Sequence, residues 1–310
     1  MCAPRLIRER WTDNGETMWL DDARGHLVDW VTQRWVQLTG RKVFFVDSPW
    51  LDGPAGKPAG IGATFFDGYA AEHGLRVLRG QPTGLVPDFE ALRSGAFDPD
   101  AISPAVIDFY ARTSAYDLDA WSQWCGAFRP FGWALAVLFS RRLQQLNVPL
   151  SNLDTSRGMT SEVLPIVEAA TNRSVWTAWV RQLVGTGDVI YAGAYSTCTV
   201  PDSATPCVRV VFPLPNGNAT VLMRPIAHPD GSLTLLSAGS AFGSPGFYFT
   251  VHASEGAVWV RYVRALRESI HVYSLDGTIR ADHVLSLWGL TFLRLHYRLR
   301  QRTAESDSAA

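Results

Sequence analysis

The sequence predicts an α+β protein. A helical or mixed N-terminal half packs on a C-terminal antiparallel β-meander that forms a closed or half-closed barrel. Three observations carry this. Apolar residues recur at helical spacing before Gly40 (Leu20, Leu27, Trp30, Val31, Trp35, Leu38). After about residue 174 the apolar pattern changes to alternation. From there, turn signals arrive at regular spacing: "PNGN", "HPDG", "SEG" and "DG".

The elements follow in chain order. Residues 1–17 read as a loose arm, and residues 18–173 as a mainly helical region containing a strand–loop–helix unit. "RKVFFVDSPWL" reads as a strand, "DGPAGKPAGIG" as a loop, "ATFFDGYAAEHG" as a helix and "LRVLRG" as a strand. That order suits a phosphate-cradling loop, yet the residues do not. Lys57 is followed by Pro58 rather than Ser or Thr, and Phe65 stands where the third glycine of a dinucleotide fingerprint belongs. Ser103 and Pro104 mark a helix start. "YDLDAWSQWCGAFRPFGW" reads as aromatic and turn-rich, "GWALAVLFSRRLQQLN" as a buried helix, and "LSNLDTSRGMTSE" as a loop.

Residues 174–300 read as a meander of about eight or nine strands, because short turns make sequential strands neighbours. A sheet that long hides its edges by curling or closing. Closed, it would be lipocalin-like in general shape; a curved sheet wrapped on the N-terminal helices is the alternative. Residues 301–310 read as a disordered tail.

Composition sets limits on function. The 310 residues are 47% hydrophobic and 18% charged, so a sizeable core is within reach. A net charge of −1 argues against a nucleic-acid partner. The first residues lack the apolar core of a secretory signal, and no apolar run approaches bilayer length. The expectation is therefore a cytoplasmic chain without a transmembrane segment. Arg141 and Arg142 on the buried helix leave room for a peripheral membrane contact. Cys198 and Cys207 flank a short loop and are expected as thiols. No Cys/His spacing suggests a metal, and no motif suggests a cofactor.

The hairpins point to a site. If Asp276–Gly277 is a two-residue turn, Tyr273 faces Arg280 and His271 faces Asp282 on one side of the sheet. Ile270 faces His283 and Glu268 faces Leu285 on the other. His283 then lies diagonal to Glu268 on an apolar face. A carboxylate there is costly unless partnered, so the two read either as a satisfied core pair or as an acid–base pair. On the last strand Arg294, His296 and Arg298 share one side. Turned inward, the arginines would hold an anion while His296 moves a proton; turned outward they are an ordinary solvated face. With Glu255–Gly256 central in the "SEG" turn, Trp259 and Arg261 join His252 and Thr250 on one face.

The expected function is binding of a lipophilic small molecule with cofactor-independent general acid–base chemistry, as in isomerisation, cyclisation or dehydration. His283, Glu268 and His296 are the candidate catalytic groups. Arg294, Arg298, Tyr273, His271, Asp282, Trp259 and Arg261 are candidate binding residues. The alternatives are a non-catalytic carrier and a membrane-peripheral interaction protein. No motif of a characterised family lies on these residues.

Overall fold

A computed structural model describes residues 27–56, 62–126, 159–185, 187, 189–253 and 256–302. The N-terminal arm, the helix around Arg141 and Arg142 and most of the tail lie outside the described residues, as does the membrane contact expected of that helix.

The chain is mostly antiparallel sheet. Its elements are α1 (Leu27–Thr39), β1 (Arg41–Phe44), α2 (Phe65–Glu72), β2 (Leu75–Val77), α3 (Pro104–Ala111) and β3 (Tyr116–Trp124). They continue with β4 (Met159–Glu168), β5 (Ser174–Leu183), β6 (Val189–Cys198), β7 (Cys207–Leu214), β8 (Gly217–Ala227), β9 (Leu233–Ser237), β10 (Gly246–His252), β11 (Ala257–Tyr262), β12 (Leu266–Leu275), β13 (Thr278–Leu287) and β14 (Leu290–Gln301). The hydrogen-bonded order is β2-β4-β5-β6-β7-β8-β9-β12-β13-β14-β3. Among the described residues its ends, β2 and β3, do not pair, so of the closed or half-closed barrel expected the ladder itself is not closed.

Two further corrections concern β3 and β4. The aromatic segment expected to be turn-rich begins with β3, which pairs along its length with β14, and its residues 127–133 lie outside the described residues. The segment expected to be a loop ends inside β4, which pairs with β5. The N-terminal half therefore supplies strands as well as helices. Ser103 also departs from expectation: its side chain makes no cap bond at α3, and its backbone N–H goes to Gly231 O at 2.8 Å.

The meander is interrupted at β8. Its first half, Gly217–Leu222, pairs with β10; its second half, Arg224–Ala227, pairs with β9. The β10–β11 hairpin thus leaves the main path, takes β1 as its outer neighbour, and lets β12 pair directly with β9. At Gly217 a Cβ would stand 1.9 Å from Thr250 O, so only glycine permits that approach.

Burial on both faces explains why β4 and β5 read poorly as alternating strands. In β5, Trp176, Ala178 and Val180 pack under Phe66 and Ala70 of α2, while Trp179 turns to the opposite, inner core. Burying a Phe such as Phe66 stabilises by about 2–3 kcal/mol. The inner core joins both ends of the sheet, with Val163 and Trp179 from one and Ile279 and Leu299 from the other. Phe109 and Tyr110 of α3 enter the same cluster. The sheet is therefore curled although its ladder stays open. Cys198 and Cys207 face each other directly across β6 and β7, and both are free thiols, as expected.

Candidate functional site

The turn between β12 and β13 adopts positive φ at Asp276 (50°) and Gly277 (71°), the backbone of a two-residue hairpin loop whose twist matches its strands. That turn fixes the register: Leu275 faces Thr278, His271 faces Asp282, Ile270 faces His283 and Glu268 faces Leu285. A one-residue slip would exchange the two faces. Glu268, Ile270, Val272, Ala281, His283 and Leu285 consequently share one face, and that face lines a cavity of about 550 Å³ inside the curled sheet.

Leu295 and Tyr297 of β14 extend the wall, as do Trp179 and Arg181 of β5, Tyr191 and Tyr195 of β6, and Ala120 and Ser122 of β3. Volume and lining match an ordinary ligand site: mostly apolar and aromatic, with a few convergent polar groups.

Glu268 and His283 are the polar anomaly. His283 Nε2 lies 2.5 Å from Glu268 Oε1, with the side chains 13% and 11% exposed. The contact lacks hydrogen-bond alignment at Nε2. The ring also stacks against Tyr297, centroids 6.2 Å apart.

Arg181 is the second polar group. It is buried, and its guanidinium carbon sits 4.3 Å from the ring centres of both Trp179 and Tyr191 and 5.8 Å from that of Tyr297. The Tyr191 and Tyr195 hydroxyls hydrogen-bond each other, and Trp179 Nε1 donates to Ser161 Oγ at 2.8 Å. Burial pushes the Tyr191, Tyr195 and Tyr297 phenols up, while the Arg181 charge pulls each of them partly back. Gly193 makes room for this arrangement: a Cβ there would come within 3.0 Å of the Tyr191 hydroxyl.

The remaining candidates do not reach the cavity. His296 pairs across the ladder with Asp282 on the outer face, Nδ1 to Oδ1 at 2.7 Å, 34% and 49% exposed. His296 is therefore corrected from a catalytic candidate to a member of a solvated pair. Arg294 is exposed on the same side, and Arg298 pairs with Asp119 at 2.8 Å. His271 is joined to Thr234 Oγ1 at 3.1 Å and stacks on Tyr273, also outside. Burial and Asp282 raise the Tyr273 phenol.

Trp259 and Arg261 fail for a different reason. The β10–β11 register is shifted by one from the expected pairing, so His252 faces Val258 and Phe249 faces Arg261. Ala253 N–H bonds Ala257 O across a longer turn that holds Gly256 at φ 69°. Arg261 Nη1 then donates to Thr39 O, 2.6 Å, at the end of α1, where a cation satisfies a terminal carbonyl.

Arg181, Tyr191 and Tyr195 were missed from sequence. The signal was present: Arg181 shares strand phase with Trp179, and Tyr191 and Tyr195 share phase across Gly193. Their inward direction depended on knowing that α2 covers the other face.

No family model matches the chain, and no solved structure matches it. Among curated proteins it is similar to the uncharacterized membrane protein YndJ of Bacillus subtilis (strain 168), 28% identical over 243 residues, 77% of this chain. The chain spans about two fifths of that relative's length, 41%. The expectation of a cytoplasmic protein is corrected by this likeness to a membrane protein. Among the described residues no helix is long and apolar enough to cross a membrane.

Proposed function

We propose that the curled sheet acts as a half-closed barrel that binds a lipophilic small molecule, and that Glu268 and His283 move a proton on it. The observation behind this reading is the buried Glu268–His283 contact opening onto an apolar cavity. Glu268 Oε1 lies against Nε2 of the imidazole, and Nδ1 is the ring atom assigned to exchange a proton with the ligand. The apolar walls exclude water and strengthen the electrostatic interaction between the two side chains. The membrane-protein name of the relative fits a ligand drawn from a lipid phase.

A carrier without chemistry is the second reading. It is favoured by the imperfect alignment at Nε2, since a proton-transfer pair is normally held in hydrogen-bond geometry.

The experiment separates the two. Ligand extracted from the purified protein is identified by mass spectrometry and returned to the protein in deuterated water. Proton transfer predicts that the wild type incorporates deuterium into the ligand, while Glu268→Gln and His283→Asn do not. An unchanged ligand on the wild type leaves the carrier reading and removes the chemistry.

A further inference from the structure

The cavity holds buried nitrogens without partners. Among the described residues, Arg181 Nε, Trp124 Nε1 and His283 Nε2 are buried without a hydrogen-bond partner, and all three residues line the cavity. The first two are permanent N–H donors with no acceptor function. Arg181 is 6% exposed, and among the described residues it makes no ion pair; Glu268 is instead in contact with His283.

An arginine this buried is costly without a counter-ion. The rings of Trp179 and Tyr191 return part of that through cation–π attraction and the Tyr297 hydroxyl takes a guanidinium bond, yet ring faces do not accept the in-plane N–H bond at Nε, which stays unpartnered. A planar anion does, through two parallel bonds.

We propose that the ligand is a lipophilic carboxylate, its head group seated on Arg181 and its apolar body laid along Ile270, Phe247 and Leu295. This rests on the reading of the cavity as a ligand site. A phosphate monoester fits less well. It brings close to two negative charges, against one buried guanidinium and a cavity that already contains the Glu268 carboxyl. The phenols of Tyr191, Tyr195 and Tyr297, held protonated, can add donors to a carboxylate head.

The test is isothermal titration of the full chain at neutral pH with decanoate, decanol and decylamine. Decanoate should bind one to one and at least about tenfold tighter than either of the others. Arg181→Met should bring decanoate and decanol to within about twofold of each other, by weakening decanoate alone. Should that variant not fold, the wild-type comparison decides. Decanol or decylamine binding as tightly as decanoate overturns the carboxylate assignment and leaves the cavity reading standing. No binding of any of the three overturns the cavity reading, and this inference with it.

Discussion

Two histidine–carboxylate pairs lie within the same three strands on opposite faces of the sheet. Glu268 and His283 face the cavity, 11% and 13% exposed; Asp282 and His296 face solvent, 49% and 34% exposed. Position Asp282 immediately precedes His283 in the chain, yet the two belong to different environments. The chemistry of each pair is the same in kind, and what differs is the medium. Water screens the outer pair, so its geometry costs and contributes little. The inner pair is removed from water, so each partner depends on the other. The comparison can be broken at several points.

The largest effect should come from placing two carboxylates side by side. His283→Asp is expected to destabilise by about 3 kcal/mol or more, because like charges in a desolvated site cannot both ionise at no cost. His296→Asp, beside Asp282 in solvent, should cost under about 1 kcal/mol. Denaturant unfolding of the two variants measures the contrast, and equal losses would erase the distinction between the faces.

Truncation should give the same order at smaller size. Glu268→Ala is expected to cost about 1–3 kcal/mol by leaving His283 buried without its partner. Asp282→Ala should stay within about 0.5 kcal/mol. A thermal melt of each, at equal protein concentration, reads this.

Gly193→Ala should cost about 1–2 kcal/mol by overpacking. The added methyl would press on the Tyr191 ring and hydroxyl and on Phe212, which must give by about a few tenths of an ångström. Thermal unfolding together with a crystal structure of the variant would show whether the ring moves.

The smallest effect is a pH dependence. Tyr191, Tyr195 and Tyr297 have phenols raised by burial. A raised folded pKa favours the native state fully below the unfolded phenol value of about 10, and that stabilisation falls as pH rises from there toward the folded values. The protein should therefore lose stability above about pH 10, and these phenols should ionise only as it unfolds. Phenolate absorbance that rises before the unfolding transition, in a Tyr273→Phe background, would contradict their burial.

Legibility in the sequence divided along physical lines. The β12–β13 hairpin was readable to the residue, because a tight turn fixes register and register fixes faces. The β10–β11 hairpin missed by one residue, since its turn has one more residue than a two-residue loop, and Trp259 and Arg261 were misplaced with it. Which face is inside could not be read locally. His283 among apolar neighbours pointed inward, but Arg294, His296 and Arg298 alternate just as well on an outer face. The strand phase of Arg181 and its tyrosines is legible, but their inward direction is not, because β5 is buried on both sides and α2 covers one of them only in the folded chain. Of the closed or half-closed barrel expected, the curl is present and the closing ladder is not found among the described residues; whether the end strands meet is set far from any turn signal.

The most direct test of the central claim, that the inner face encloses a ligand site, is to fill it. Ala120 lines the cavity from β3, and its neighbour Asp119 pairs with Arg298 outside. Titration with the neutral lipophilic dye N-phenylnaphthylamine should show saturable binding to the wild type and to Asp119→Trp, and loss of at least about tenfold in affinity for Ala120→Trp. Equal binding by both tryptophan variants would place the dye elsewhere and contradict the account.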